Sequence, residues 1–208
     1  MIVVGITGSL ASGKTQVTDL FKKYGARTFD ADASARKAVK KGSPVYGAIV
    51  KLFGRKYLKP DGSLDRAKLA ERAFSHPKDL RKLNILIHPR VILDGLEVID
   101  EVRGKEGILA LDVPLLFESK MNNLADFTVL VRSRRETTLA RAHKRGMPKK
   151  LARKILVAQW SPERKAKLVD FVIHNDGDVH ALDKQVSGLI KEIQSRALPT
   201  GRQAAALR

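Results

Sequence analysis

Apolar positions in this chain follow two alternating rhythms. Ile2-Val3-Val4-Gly5-Ile6, Ile108-Leu109-Ala110-Leu111, Phe127-Thr128-Val129-Leu130-Val131 and Phe171-Val172-Ile173 are short runs bounded by polar residues, and they predict strands. In the run at 108–111 both faces are apolar, as in a central strand of a covered parallel sheet. Arg27-Thr28-Phe29-Asp30 predicts a shorter strand. Between the strands the spacing turns helical. Val17, Leu20, Phe21 and Tyr24 predict a first helix, which Gly25 ends in the C′ position. Ala35 and Val39 start a second, stopped by Gly42-Ser43-Pro44, and Val45, Ile49, Leu52 and Phe53 share a face of a third. Lys59-Pro60-Asp61-Gly62 is a turn signal, after which Ser63 or Asp65 caps a helix carrying Leu69 and Phe74.

From Pro77 a helix carries Leu80, Leu83, Leu86 and Ile87; His88-Pro89 interrupts it, and Val91, Leu93, Leu96 and Ile99 predict a separate one. Later helices are marked by Leu139 and Ala142, by Leu151, Ile155 and Ala158, and by Leu182, Val186, Leu189, Ile190 and Ile193. Residues 198–208 carry Pro199 and Gly201 without a clear face and are expected to form a mobile tail.

Strands alternating with helices predict an α/β fold with a parallel sheet and right-handed crossovers, here as one domain over residues 1–197. The strandless stretch at about 33–103 is too long for an ordinary crossover. It reads as an inserted helical lobe, the kind of element that builds a second-substrate site. Ligands of such sheets collect at the carboxyl ends of the strands. That rule gathers Gly8, the Asp30–Asp32 segment and Asp112 on one edge.

Composition narrows the chemistry. The chain has 208 residues and no cysteine, which excludes disulfides, thiolate metal sites and a cysteine nucleophile. No apolar run is long enough to span a bilayer, and the N-terminus enters a strand without a signal-peptide pattern, so a cytoplasmic location is expected. Forty Lys and Arg against 22 Asp and Glu give a formal charge of +18, which points to anionic partners. Nucleic acid is one such partner. With 5% aromatic residues and no aromatic-interleaved basic stretch, no stacking platform is visible, and nucleic acid is not expected.

The stretch that orders the rest is Gly8-Ser9-Leu10-Ala11-Ser12-Gly13-Lys14-Thr15, which is G-x-x-x-x-G-K-[ST]. Its glycines let successive backbone N–H groups line one concavity at the start of a helix, where phosphates bind. Lys14 would reach the β- and γ-phosphates, and the Thr15 hydroxyl would hold Mg²⁺. Strand, loop and helix in this order predict a three-layer α/β/α P-loop NTPase. GTPase signatures (D-x-x-G, N-K-x-D) and protein-kinase signatures (H-R-D, D-F-G) are absent. A helical lobe and an Arg-rich lid over about 141–165 fit a small-molecule kinase, in which the lid closes on the transferring group.

Several segments resemble one family. The phosphate loop, Phe29-Asp30-Ala31-Asp32 and Leu111-Asp112-Val113-Pro114-Leu115-Leu116-Phe117-Glu118 are similar to those of dephospho-CoA kinases. Asp61-Gly62-Ser63-Leu64-Asp65-Arg66, Ile87-His88-Pro89, Ala158-Gln159 and Val172-Ile173 with Asn175 and Gly177 add matches in the family's order, from residue 2 to about 195. The resemblance implies ATP-dependent phosphorylation of the ribose 3′-hydroxyl of dephospho-CoA, with ATP and Mg²⁺ as cofactors. Another small-metabolite kinase, acting on a nucleoside or nucleotide, and a nucleic-acid-binding ATPase are the alternatives. The chain departs from the family in Ser9 and Ala11, where glycine is more usual, in Thr15-Gln16 for Ser-Thr, and in Gly146 for an acid.

The candidate site follows. Asp32 is the candidate base and substrate contact, or else a helix N-cap. Asp30 is structural or binds metal-bound water. Asp112 ends its strand as a Walker B acid reaching Mg²⁺ does, or is a buried carboxylate held by backbone N–H groups. Arg141 and Arg145, one helical turn apart, contact phosphates or form a solvated basic face. His88 contacts substrate or packs the lobe. Gly8 to Gln16 and Asn175 are the expected ATP contacts, Asn175 beside the adenine. Trp160 is expected to pack the lid.

Overall fold

The computed structural model describes residues 1–197, so the expected tail at 198–208 lies outside the described residues. In chain order, β1 (Ile2–Gly8) leads through the phosphate loop to α1 (Lys14–Lys23), then β2 (Arg27–Asp30). Four helices follow: α2 (Ala31–Ala38), α3 (Pro44–Phe53), α4 (Arg66–Ser75) and α5 (Pro77–Glu101). β3 (Ile108–Asp112), β4 (Phe127–Arg132), α6 (Arg135–Lys144), α7 (Lys149–Ala158), α8 (Pro162–Ala166), β5 (Phe171–His174) and α9 (Val179–Ala197) complete the chain.

The five strands form one parallel sheet in the order β2-β3-β1-β4-β5. Alternate residues face opposite layers. Val4, Ile6, Ala110, Val129 and Val131 pack against Val17 and Phe21 of α1 and against Leu182, Val186 and Ile193 of α9. Val3, Leu109 and Leu111 face the other way, against Val91 of α5 and Met121. The three-layer α/β/α architecture is therefore as expected. A separate core around Ile49, Tyr57, Leu64 and Leu69 holds the helical lobe together. Asp65 is the cap of α4, accepting from the Lys68 N–H at 3.0 Å.

One expectation fails. Residues 77–101 are a single 25-residue helix, with Pro89 inside it. Pro89 has no N–H for the Ile85 carbonyl. Ile85 is 65% exposed, so that carbonyl lies on the side open to water. The apolar pattern breaks at His88-Pro89 because the helix changes partners there. Leu83 and Leu86 pack into the lobe core, whereas Val91, Ile92, Val98 and Ile99 pack on the sheet. Gly95 lets the second half come close: a Cβ there would lie 3.1 Å from Met121 and 3.6 Å from the Phe29 ring.

Candidate active site

The register of the sheet assembles the site. Ile6 pairs with Asp112, and Asp112 with Asp30, so β1, β3 and β2 end at one level. Beyond Gly8 the chain turns through Ser9–Ser12, closed by a Ser12 N–H to Ser9 carbonyl bond of 3.1 Å. Ala11 is left-handed there, at φ 56°. An L-residue is strained in that region by about 1–2 kcal/mol, and glycine is not. Gly13, at φ 90°, is required on two counts, since a Cβ would also lie 1.8 Å from the Asn175 side chain.

Lys14 opens α1 and forms an ion pair with Asp112, whose other oxygen accepts from Thr18 Oγ1 at 2.9 Å. Asp112 is thus held by side chains of α1, not by backbone N–H groups. Burial pushes the Lys14 ammonium down to about 8, while Asp32 and then Asp30 pull it back up. Beside the loop two buried side-chain oxygens, Ser12 Oγ and Glu118 Oε2, have no hydrogen-bond partner among the described residues, and Asp112 Oδ1 has only the Lys14 ammonium. Orphaned polar atoms in such a cluster mark a place built to meet a polar ligand.

A cavity of about 400 Å³ lies over the loop. Its walls include Gly8 to Ala11, Gly13, Lys14 and Thr15, with Asp32, Glu118, Arg145 and Gln159. Asp32 also lines a smaller pocket of about 170 Å³, together with Asn84, His88 and Val91. Asp30 takes the cap of α2, accepting from the Ala33 N–H at 2.9 Å, so Asp32 is not the cap. His88 is half-buried, and that burial lowers its pKa against the opposing pull of Glu118. A third cavity, of about 670 Å³, opens on the other side of Ser9 between Arg134, Trp160, His174 and Asp176.

Two predicted residues sit differently from expectation. Asn175 is buried at 3% exposure, and its amide donates to the Ser12 carbonyl at 3.0 Å and to Gln16 Oε1 at 3.1 Å. It braces the loop from behind and does not line the cavity beside it, which its neighbours His174 and Asp176 do. Arg141 likewise donates to the carbonyls of Ser12 (3.4 Å) and Asn175 (3.1 Å) and to Ser133 Oγ (3.2 Å). Arg145 alone of the arginine pair lines the cavity over the loop.

The basic segment lies across this cavity. α7 packs against α4 of the lobe, where Lys154 donates to Ser75 Oγ at 2.6 Å. Trp160 stacks on Phe117 at 6.2 Å and carries the Arg164 guanidinium 3.4 Å above its ring, so its packing role is as expected. Lys165, 1% exposed, carries no signal of a role in the sequence. It pairs with Glu118 at 3.1 Å and donates to the Pro114 carbonyl at 2.8 Å. Burial pushes its pKa down, against Glu118. α8 spans five residues, too few for a period. Glu118 and Gln159 stood in matched segments, but no motif gave them a task.

The geometry offers a glycine-containing loop at a helix start, a paired lysine, a carboxylate between two pockets and an arginine on the basic segment. A family model described as dephospho-CoA kinase matches residues 2–181. A Bacillus cereus protein named dephospho-CoA kinase is 38% identical over 194 residues, covering 92% of this chain and 96% of that one. The solved structure of TT1252 from Thermus thermophilus is 29% identical, with a TM-score of 0.76, over 92% of this chain and 97% of that one. Dephospho-CoA kinase from Campylobacter jejuni is 25% identical, with a TM-score of 0.65, over 94% and 98%. Loop, acids, lobe and these likenesses together place the chain in the dephospho-CoA kinase family.

Proposed function

We propose that the chain transfers the γ-phosphoryl group of ATP to the ribose 3′-hydroxyl of dephospho-CoA, giving CoA and ADP. One observation carries the reading: Asp32 stands in the wall shared by the cavity over the loop and the pocket beside His88. A hydroxyl presented from that pocket meets the carboxylate and the terminal phosphate together. Asp32 accepts its proton as the new oxygen–phosphorus bond forms and the bond to the ADP bridging oxygen breaks. Backbone N–H groups of the loop hold the phosphates. Lys14 turns from Asp112 to the β- and γ-phosphates, and Arg145 comes down from the lid formed by residues 141–165. Both stabilise charge on the leaving oxygen.

Mg²⁺ fits this edge of the sheet. Thr15 lies on the first turn of α1, and Asp112 Oδ1 is held by the Lys14 ammonium alone, which phosphates in the loop would draw away. Among the described residues no three His, Asp or Glu side chains cluster, so Thr15, Asp112 and the nucleotide's own oxygens are the donors on offer. When bound, the ion offsets phosphate charge.

The test is ADP release with a panel of acceptors. Dephospho-CoA should support turnover and yield CoA, whereas nucleosides, nucleotides and nucleic acids should not. Turnover with nucleosides alone, or stimulated by DNA or RNA, would overturn the reading.

A further inference from the structure

Gln159 closes α7 and reaches back to the phosphate loop. Its Oε1 accepts the Leu10 N–H at 3.1 Å, across 149 residues of sequence. We propose that Gln159 is a positioning residue for phosphoryl transfer: its amide holds the tip of the phosphate loop and ties the loop's shape to the base of the lid.

Three observations support this. The tip is the part of the loop with most need of a brace. Leu10 and Ala11 are the central residues of the turn from Ser9 to Ser12, and Ala11 is held left-handed without being glycine. A tip under strain relaxes unless its neighbours over-determine it. Behind the loop, Asn175 and Arg141 fix Ser12, and Gln159 is the side-chain partner on the tip itself. Next, the base of the lid is itself anchored. The Trp160 N–H donates to Glu118 Oε1 at 2.9 Å, and the same oxygen pairs with Lys165. Gln159 therefore works from a fixed point. Finally, Gln159 lines the cavity over the loop beside Lys14 and Arg145, so the lid's base and the phosphates share a wall. Movement of α7 at this point is felt at Leu10, and phosphates ordering the loop are felt at α7.

The proposal rests on the loop being the ATP cradle. Its test uses Gln159→Met, which keeps length and loses the amide, and Gln159→Glu, which keeps an acceptor oxygen. In Gln159→Met the Leu10 amide should exchange with solvent about tenfold faster. The dissociation constant and KM for ATP should rise about tenfold, the equivalent of one lost hydrogen bond. KM for dephospho-CoA should stay within about twofold, and ATP should protect residues 144–154 from protease less well than in the parent. Gln159→Glu should keep Leu10 exchange slow. A Gln159→Met protein with unchanged Leu10 exchange and ATP affinity overturns the proposal, and so does one that only melts lower, since that is a helix end and nothing more. If the parent binds no ATP, the cradle reading falls and this proposal with it. If parent and variant bind it equally, the proposal alone falls.

Discussion

Asp30 caps α2 with its carboxylate, which leaves Asp32, exposed at the second helical position, to face the cavity. The two acids thus have separable tests. Asp32→Asn should lower kcat by roughly 10²–10⁴-fold, the range for a lost general base, with ATP affinity nearly unchanged. Asp30→Asn should be milder, because asparagine caps about as well as aspartate. An inactive Asp30→Asn beside a near-normal Asp32→Asn would move the base to Asp30. Lys14 gives a pH signature. Its ammonium, lowered to about 8 by burial, is charged below that pH and must regain a proton above it before it can hold phosphate. ATP affinity should therefore be flat below about pH 8 and fall by about tenfold per unit above it. Lys14→Arg, which does not titrate there, should show no such break, and titration calorimetry across that range decides the matter. Lys14 was legible because a spaced motif names it, and the acids because they stand at the carboxyl ends of strands beside the loop and lie in segments that resemble the family's. Asn175 and Arg141 were legible as important but not in their task, since their partners are backbone carbonyls remote in sequence.

Among the elements, strands and most helices were readable from periodicity, and α5 was not. A helix that crosses from the lobe to the sheet must shift its apolar stripe, and at Pro89 the shift imitates a boundary. α8 went unseen because one turn has no period. Pro89→Ala supplies the missing N–H to Ile85, so the protein should melt higher, by up to about 3 kcal/mol in the propensity limit. It should also reset the neighbouring His88, raising KM for dephospho-CoA while leaving KM for ATP alone. Calorimetry and steady-state kinetics read the two effects apart. An unchanged melting point would mean that packing at Pro89 already compensates for the lost bond.

For the whole molecule, the buried Lys165–Glu118 pair joins α8 to the loop after β3, and Lys165 reaches Thr7 of β1 at 3.4 Å. Lys165→Met leaves Glu118 a buried unpaired charge and should cost about 3–5 kcal/mol by denaturant titration. Lys165→Met with Glu118→Gln should recover most of that loss, since the neutral amide still accepts from Trp160. No recovery would show that Lys165 acts through its other contacts. The sequence could not announce this tie, because a lone basic residue in a basic chain looks like surface. The lobe enters from β2 and returns to β3, and these two strands are hydrogen-bonded neighbours ending at Asp30 and Asp112. Between Asp30 and Ile108, 77 residues thus bridge neighbouring strands, and lengthening such a bridge adds little entropic cost. On the proposed function such a plug-in divides labour along the chain: the loop, Asp32 and Asp112 keep the phosphate chemistry, and rewriting the lobe beyond Asp32 would change what receives the phosphate.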